Sequence, residues 1–184
     1  MTDVLERLRA EAAGRAPEYE ALLAADTDAL AAALTEAGRP LWARELAAYR
    51  LGLAGDRRAF ETLVLLLNHR DPPRCEAAAR ALAVLGDPRT ARAAAALATN
   101  PLRTAYALHP VRLLTALRAP ESAPALIACL SRLLTPHDPH GRVALACVEG
   151  LGALADPRAR EVLTRALSHP RLAVAAAGAL RRPG

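Results

Sequence analysis

The chain has 184 residues, and its 53% hydrophobic content comes with only 3% aromatic residues and a single isoleucine, Ile127. This composition argues against a strand-rich fold, because strands favour β-branched and aromatic side chains. All 24 basic residues are arginine, which excludes a lysine Schiff base and the lysine of a phosphate-binding P-loop. The net charge of +5 is uneven: residues 1–56 carry ten acids against six arginines, and residues 57–184 carry nine acids against 18 arginines.

Three short helices are predicted at the start of the chain, over 3–13, 17–25 and 28–37. Thr27 or Asp28 can cap the third helix, and Gly38 with Pro40 ends it. A longer helix over 41–54 follows. The acidic outer positions of the first three helices suit the end of a helical array. We therefore expect residues 1–40 to be an N-terminal helical capping element and residues 41–184 a repeat array, together forming one continuous domain.

A short phrase recurs along the rest of the chain. Residues 81–89 (ALAVLGDPR) return as residues 150–158 (GLGALADPR), with weaker echoes at 51–57 and 114–121. Aligning Ala54, Leu85, Leu117 and Leu154 gives steps of 31, 32 and 37 residues. A period in this range in a chain rich in leucine and alanine predicts stacked helix pairs.

The repeated phrase also predicts where each helix pair begins. Aspartate is a preferred N-cap and proline a preferred first helical residue, so Asp56, Asp87 and Asp156 are predicted caps. The first helices of the pairs are expected over 57–68, 88–99, 120–134 and 157–168, and the second helices over 73–86, 104–118, 141–155 and 170–182. Two columns are expected to form the core: Leu51, Leu82, Leu114 and Leu151, and Ala54, Leu85, Leu117, Leu154 and Leu180.

Two irregularities interrupt the repeat. Pro110 stands inside the helix expected over 104–118, where it removes a backbone donor. That helix either kinks there or begins at 109–110, with residues 102–108 as a separate turn. An insertion of about five residues, which explains the 37-residue step, predicts a longer loop over 135–141.

With its Leu-Gly-Asp-Pro-Arg phrase, 31-residue period and two-helix unit, the chain resembles the HEAT repeats over about 41–182, specifically the HEAT-like subtype named for phycobilisome lyases. The resemblance implies an all-α fold, a right-handed α-solenoid of antiparallel helix pairs whose second helices line a concave binding surface. The subtype occurs in bilin lyases, in adaptor proteins and, in diverged form, in alkylpurine DNA glycosylases. The resemblance is therefore specific for the fold and does not select one function.

The repeat register selects candidate partner-binding residues that are expected to face away from the core, on the helix over 41–54 and on the second helices. These are Trp42, Tyr49, Arg80, Tyr106, Arg112, Arg142 and Glu149. We call these seven residues the predicted stripe. Arginine and aromatic side chains often contribute most of the binding energy at interfaces, so we expect a protein partner to bind there. Other interpretations stay open: Trp42 buried against the N-terminal helices, an ion pair between Arg112 and Glu149, and a local pair of Arg80 with Glu76.

No motif predicts an active site. His137 and His140, with Asp138 between them, lack the third and fourth ligands that zinc needs, so no metal and no cofactor are expected. Cys75 would need to be exposed to act as a nucleophile in a bilin-lyase-like enzyme. It lies on an apolar helix face, which predicts that it is buried. A glycosylase-like pocket would need more aromatic residues than Trp42. We therefore expect a protein that is not an enzyme.

The expected function is a scaffold or adaptor that binds a protein or peptide in the cytoplasm. No apolar signal core and no membrane span are apparent, and Cys75, Cys129 and Cys147 read as buried, reduced thiols. The alternative is nucleic-acid binding through the basic central repeats, where residues 88–120 contain no acid. The apolar C-terminal helix is expected to pack on a partner or on a second copy, giving a homodimer.

Overall fold

The computed structural model describes residues 2–135 and 139–182, and the regular secondary structure in these ranges is helical. The chain divides into two compact units, Met1–Thr90 (unit 1) and Ala91–Gly184 (unit 2). The prediction of an all-α fold is confirmed. The handedness of a solenoid, the type of repeat and the predicted boundary at residue 40 stay predictions.

Unit 1 is organised around its fourth helix. Its described α-helices are α1 (Thr2–Glu11), α2 (Ala16–Ala24), α3 (Thr27–Thr35), α4 (Leu41–Leu53), α5 (Phe60–Leu67) and α6 (Pro72–Leu85). Helices α1, α2 and α3 each pack on α4, which also packs on α5 and α6. The cap of α3 is Asp26, whose side chain accepts a hydrogen bond from the Ala29 amide at 2.8 Å, so it precedes the predicted Thr27 or Asp28.

Unit 2 has two layers of helices. Its described α-helices are α7 (Thr90–Thr99), which begins at the last residue of unit 1, α8 (Leu108–Leu117), α9 (Ser122–Leu133), α10 (Gly141–Leu154), α11 (Arg160–Ala166) and α12 (Ala173–Leu180). Helix α10 packs between α8 and α12, and these three form one layer over α9 and α11. The approach of α10 to α12 requires a glycine, since a Cβ on Gly152 would lie 2.7 Å from the Cβ of Ala179.

Several helices are preceded by a short 3-10 segment, and prolines lie at the starts of some of them. The helices expected at 57 and 157 start with 3-10 turns, Arg57–Ala59 and Pro157–Ala159. Pro110 is the third residue of α8, and a separate 3-10 segment, Pro101–Tyr106, precedes that helix. The first amides of a helix have no partner within it, so a proline at that position costs no hydrogen bond. Of the two alternatives for this region, the split helix is confirmed.

One predicted core column is confirmed and the other is partly wrong. Leu51, Leu82 and Leu114 are fully buried, and Leu151 is 1% exposed. In the second column Leu85 is buried, but Ala54 is exposed and the remaining members, Leu117, Leu154 and Leu180, are only half-buried. These positions lie at helix ends, where the chain turns away and leaves one side of the residue uncovered.

The three cysteines are buried thiols that form no disulfide, as predicted. The Cys75 thiol donates a hydrogen bond to the His69 carbonyl at 3.0 Å. A hydrogen bond with Cys129, together with burial, raises the pKa of Cys147 well above its ordinary value. Since the thiolate is the reactive form, this environment keeps Cys147 protonated and unreactive.

Two helices end on residues that adopt the left-handed conformation without being glycine. Arg118 after α8 has φ 51° and Ala155 after α10 has φ 54°, whereas Gly86 occupies the aligned position after α6 with φ 63°. Because a Cβ is strained in this region, Ala155→Gly is expected to raise the free energy of unfolding by about 1 kcal/mol, and Gly86→Ala to lower it similarly. Urea denaturation measures both changes, and an Ala155→Gly protein less stable than the parent would contradict the prediction.

Candidate interaction surface

The seven predicted partner-binding residues divide between the two units. Unit 1 contains Trp42, Tyr49 and Arg80, and unit 2 contains Tyr106, Arg112, Arg142 and Glu149. Each unit therefore presents its own part of the predicted stripe.

The prediction that Trp42 and Tyr49 are exposed is wrong. Their exposed fractions are 6% and 2%, and the Trp42 ring centroid lies 6.1 Å from that of Tyr19 in α2. Helix α4 packs against five helices, α1, α2, α3, α5 and α6, so it has no broad outward face. The alternative interpretation, in which Trp42 packs against the N-terminal helices, is confirmed.

Arg80 is exposed on α6 and pairs with Glu76 of the same helix, so this alternative interpretation is confirmed. Its Nη2 lies 3.4 Å from Oε1 of Glu76, four residues earlier. Exposed pairs at this spacing stabilise a helix weakly, so the side chain stays available to exchange partners.

In unit 2 the predicted residues lie on the side of the α8–α10–α12 layer that faces away from α9. The exposed positions of α10 are Arg142 and Glu149, with Leu145 half-buried between them, and Arg112 is exposed on α8. Among the described residues, no ion pair joins Arg112 to Glu149, so the interpretation as an inter-repeat pair is wrong. We call this surface the outer face of unit 2.

Tyr106 is less available than its neighbours. It lies in the 3-10 segment before α8 and is half-buried, and the guanidinium carbon of Arg103 lies 4.8 Å from its ring centroid. This cation–π contact occupies one face of the ring. Tyr106 therefore contributes at most an edge to the outer face.

A groove of about 430 Å³ runs along the contact between α10 and α12 on the outer face. It is lined by Glu149, Gly152, Ala175, Gly178, Ala179 and Arg182. The small residues leave room for a bulky side chain, with a carboxylate and a guanidinium among the lining groups. The groove was not predicted from the sequence, because it depends on the close approach of Gly152 to Ala179, which no local pattern reveals. The predicted packing of α12 on a second copy stays a prediction.

The surplus positive charge belongs entirely to unit 2. Unit 2 has twelve arginines against five acids, for a formal charge of +7, whereas unit 1 has twelve arginines against fourteen acids, for −2. In the described part of unit 2, an ion pair joins Arg158 to Asp156, while Arg112, Arg142 and Arg182 have no carboxylate within 4.0 Å. These guanidinium groups leave a positive potential on the surface of unit 2.

The predicted caps form a recurring fork of aspartate and arginine. The carboxylates of Asp56, Asp87 and Asp156 each accept the backbone N–H of the arginine two residues later, at 2.9 to 3.0 Å. The same arginine, namely Arg58, Arg89 or Arg158, also donates side-chain hydrogen bonds to that carboxylate. The predicted capping role is confirmed for all three aspartates.

The forks predict how stability depends on pH. Guanidinium hydrogen bonds, from Arg89 in the case of Asp87, hold the pKa of each fork aspartate below its ordinary value. The folded state therefore binds the proton less tightly than the unfolded chain. The stabilisation from each fork aspartate is complete above the pKa that the aspartate has in the unfolded chain, about 4. It is lost as the pH falls through the lower pKa of the folded state.

We expect Asp87→Asn to flatten this acid dependence. The variant should be less stable than the parent at neutral pH, and the difference should shrink below about pH 4, where the parent also loses the carboxylate charge. Urea denaturation midpoints across a pH series measure both curves. Curves that stay parallel down to low pH would contradict the prediction.

A charge cluster joins three helices of unit 1 and was not predicted. Glu45 in α4 is 1% exposed and is contacted by Arg7 of α1 and Arg74 of α6. Glu11 pairs with the same two arginines, with 2.8 Å between its Oε1 and Nη1 of Arg7. Burial raises the pKa of Glu11, but the hydrogen bonds from Arg74 and Arg7 outweigh it and hold that pKa below its ordinary value. The closed arrangement is structural, and it anchors α1 to the centre of unit 1.

The structure also bears on metal binding and on membrane spanning. Within residues 2–135 and 139–182, no three His, Cys, Asp or Glu side chains form a group that could hold a metal ion. His137 and Asp138 of the predicted loop lie outside the described residues. Among the helices that the structure describes, none has the length and apolar character needed to cross a membrane.

The fold and surface define an all-α protein whose second unit carries a net positive charge. No protein-family model matches the chain, and no curated protein is significantly similar to it. The resemblance to HEAT-like repeats therefore remains a prediction from the recurring phrase.

Proposed function

We propose that the chain is a non-catalytic interaction module that binds an acidic segment of a partner protein on the outer face of unit 2. The observation that carries this proposal is the pair Arg112 and Arg142, exposed on neighbouring helices without a carboxylate partner in the described residues. Guanidinium groups bind carboxylates through two parallel hydrogen bonds, which gives both affinity and orientation.

The groove between α10 and α12 supports a protein ligand. Its small lining residues, Gly152, Ala175 and Gly178, can receive an apolar side chain of the partner. A buried apolar anchor surrounded by charged groups is a common arrangement at protein interfaces. Arg182 at the same groove can pair with an acidic residue next to that anchor.

Nucleic-acid binding is the second candidate function, favoured by the charge of +7 on unit 2. Proteins that bind single strands usually stack bases on exposed aromatic rings. None of the five aromatic side chains of this chain is exposed: Tyr19, Trp42, Tyr49 and Phe60 are buried and Tyr106 is half-buried. The second candidate is therefore a contact with duplex phosphates.

A charge-matched pair of variants tests the proposal. Arg112→Glu/Arg142→Glu alters the outer face, and Arg92→Glu/Arg165→Glu makes the same charge change on exposed residues of α7 and α11. Each protein is used to capture partners from the native cell extract, and each captured protein is then purified and titrated by calorimetry. We expect a direct partner to bind the parent and the control, and to bind the outer-face variant at least about tenfold more weakly.

Two outcomes would contradict the proposal. Equal losses in both double variants would indicate general charge attraction without a defined face. Binding to a DNA duplex that falls by a factor on the order of 10³ between 50 and 200 mM salt, without any protein ligand, would support the second candidate.

A further inference from the structure

The three aspartate–arginine forks differ in one respect that points to a second binding site. In unit 1, Nη1 of each fork arginine contacts a second carboxylate of the chain, in addition to the fork aspartate. Nη1 of Arg58 lies 2.9 Å from Oδ1 of Asp28, and Nη1 of Arg89 lies 3.0 Å from Oε1 of Glu61. Nη1 of Arg158 in unit 2 has no carboxylate within 4.0 Å among the described residues.

The repeat register explains why the third fork lacks this carboxylate. Glu61 stands seven residues after Ala54, and the residue seven positions after the aligned Leu117 is Pro124. Pro124 is exposed near the start of α9, in the repeat that precedes Arg158. Proline thus stands where the earlier repeat has Glu61, and it has no carboxylate to pair with Arg158. The Asp156–Arg158 fork itself is retained.

Arg158 opens onto a groove that contains a second arginine. The groove has a volume of about 430 Å³ and is lined by Arg118, Ala119, Pro120, Ala123, Asp156 and Arg158, among others. Nη1 of Arg118 donates a hydrogen bond to the carbonyl of Ala153 at 3.0 Å, which fixes the guanidinium across the end of α10. The other donors of Arg118 have no protein partner in the described residues.

We propose that this groove binds a carboxylate side chain of an acidic peptide segment from a partner protein, between Arg118 and Arg158. We call it the fork groove. It lies at the turns after α8 and α10, apart from Arg112 and Arg142, and it does not rest on the function proposed for the outer face. The carboxylate would take the position at Nη1 of Arg158 that Glu61 takes at Arg89.

Two features favour a carboxylate on a peptide over a phosphate. Both occupied forks of this chain use a carboxylate at the same guanidinium nitrogen, so the geometry already accepts that group. The walls formed by Ala119, Pro120 and Ala123 suit the apolar parts of a peptide, and Asp156 in the same groove would repel the higher charge of a phosphate more strongly.

The test measures binding of a defined probe to three variants of the full chain. The probe is a short fluorescein-labelled peptide of alternating glutamate and alanine, followed by fluorescence anisotropy, and its glutamine counterpart is the neutral control. Arg158→Gln removes one guanidinium, and Arg165→Gln removes an exposed arginine of α11 outside the groove. Pro124→Glu keeps both groove arginines and supplies a carboxylate from the chain itself.

We expect the glutamate peptide to bind the parent and the Arg165→Gln variant alike, and the other two variants about tenfold more weakly. Glutamate in the first turn of α9 should not lower the melting temperature of the Pro124→Glu protein, so weaker binding by this variant would not result from a folding defect. Three results would overturn the proposal: full binding to Pro124→Glu, equal weakening by Arg165→Gln, or equal binding of the glutamine peptide. A phosphoserine peptide or a DNA duplex that displaces the labelled probe more strongly than the unlabelled glutamate peptide does would also overturn it, and would show that the groove binds phosphate.

Discussion

Replacing Glu45 with glutamine is expected to lower the free energy of unfolding by about 3 kcal/mol. Glu45 is buried between Arg7 and Arg74, and its removal leaves both guanidinium groups partly desolvated with one fewer carboxylate. Breaking a buried pair costs about 3 to 5 kcal/mol, and the lower end applies here because Glu11 still contacts both arginines. Glutamine preserves the volume of the side chain, so the loss reports the charge.

The matched control for this change is Glu76→Gln. Glu76 forms an exposed pair with Arg80 at 3.4 Å, and its removal should change the free energy of unfolding by about 0.5 kcal/mol or less. Urea denaturation at neutral pH measures both variants. Comparable losses in the two proteins would mean that the cluster around Glu45 is no more important than a surface pair.

The helical fold could be predicted from local signals because the signals are strong and recur. The aspartates of the repeated phrase cap the following helix in each of three copies, and the leucines three residues before Ala54, Leu85, Leu117 and Leu154 are all buried. Capping and apolar spacing act over a few residues, so the sequence contains the information directly. The starts of α7 and α12 were placed a few residues early, where proline-containing turns precede the helix.

The candidate site was predicted where a helix has one free side and missed where it has none. Register places Arg112 and Arg142 correctly on exposed positions of α8 and α10. The same register fails for Trp42 and Tyr49, because α1, α2 and α3 cover the side of α4 that a repeat alignment treats as open. Whether a helix is covered depends on contacts between distant segments, which periodicity does not encode.

The charge clusters show the same limit. Glu45 is 29 residues from Arg74 and 38 from Arg7, so no spacing rule connects them. The fork groove, in contrast, could be found once the structure supplied the geometry of the two filled forks. The repeat register then shows that Pro124 stands at the position of Glu61, which leaves Arg158 without a second carboxylate.

The second large effect is expected at Leu151, a core residue of α10. Leu151 is 1% exposed, and Leu151→Ala should lower the free energy of unfolding by about 2 to 5 kcal/mol through lost burial and a residual cavity.

Leu154→Ala, one turn later in the same helix, is the matched control. Leu154 is half-buried and borders the fork groove, so the same truncation removes less buried surface and leaves an opening to solvent instead of a cavity. We expect it to cost about 1 kcal/mol. Chemical denaturation of the two variants measures the difference, and equal losses would show that the second leucine column belongs to the core as fully as the first.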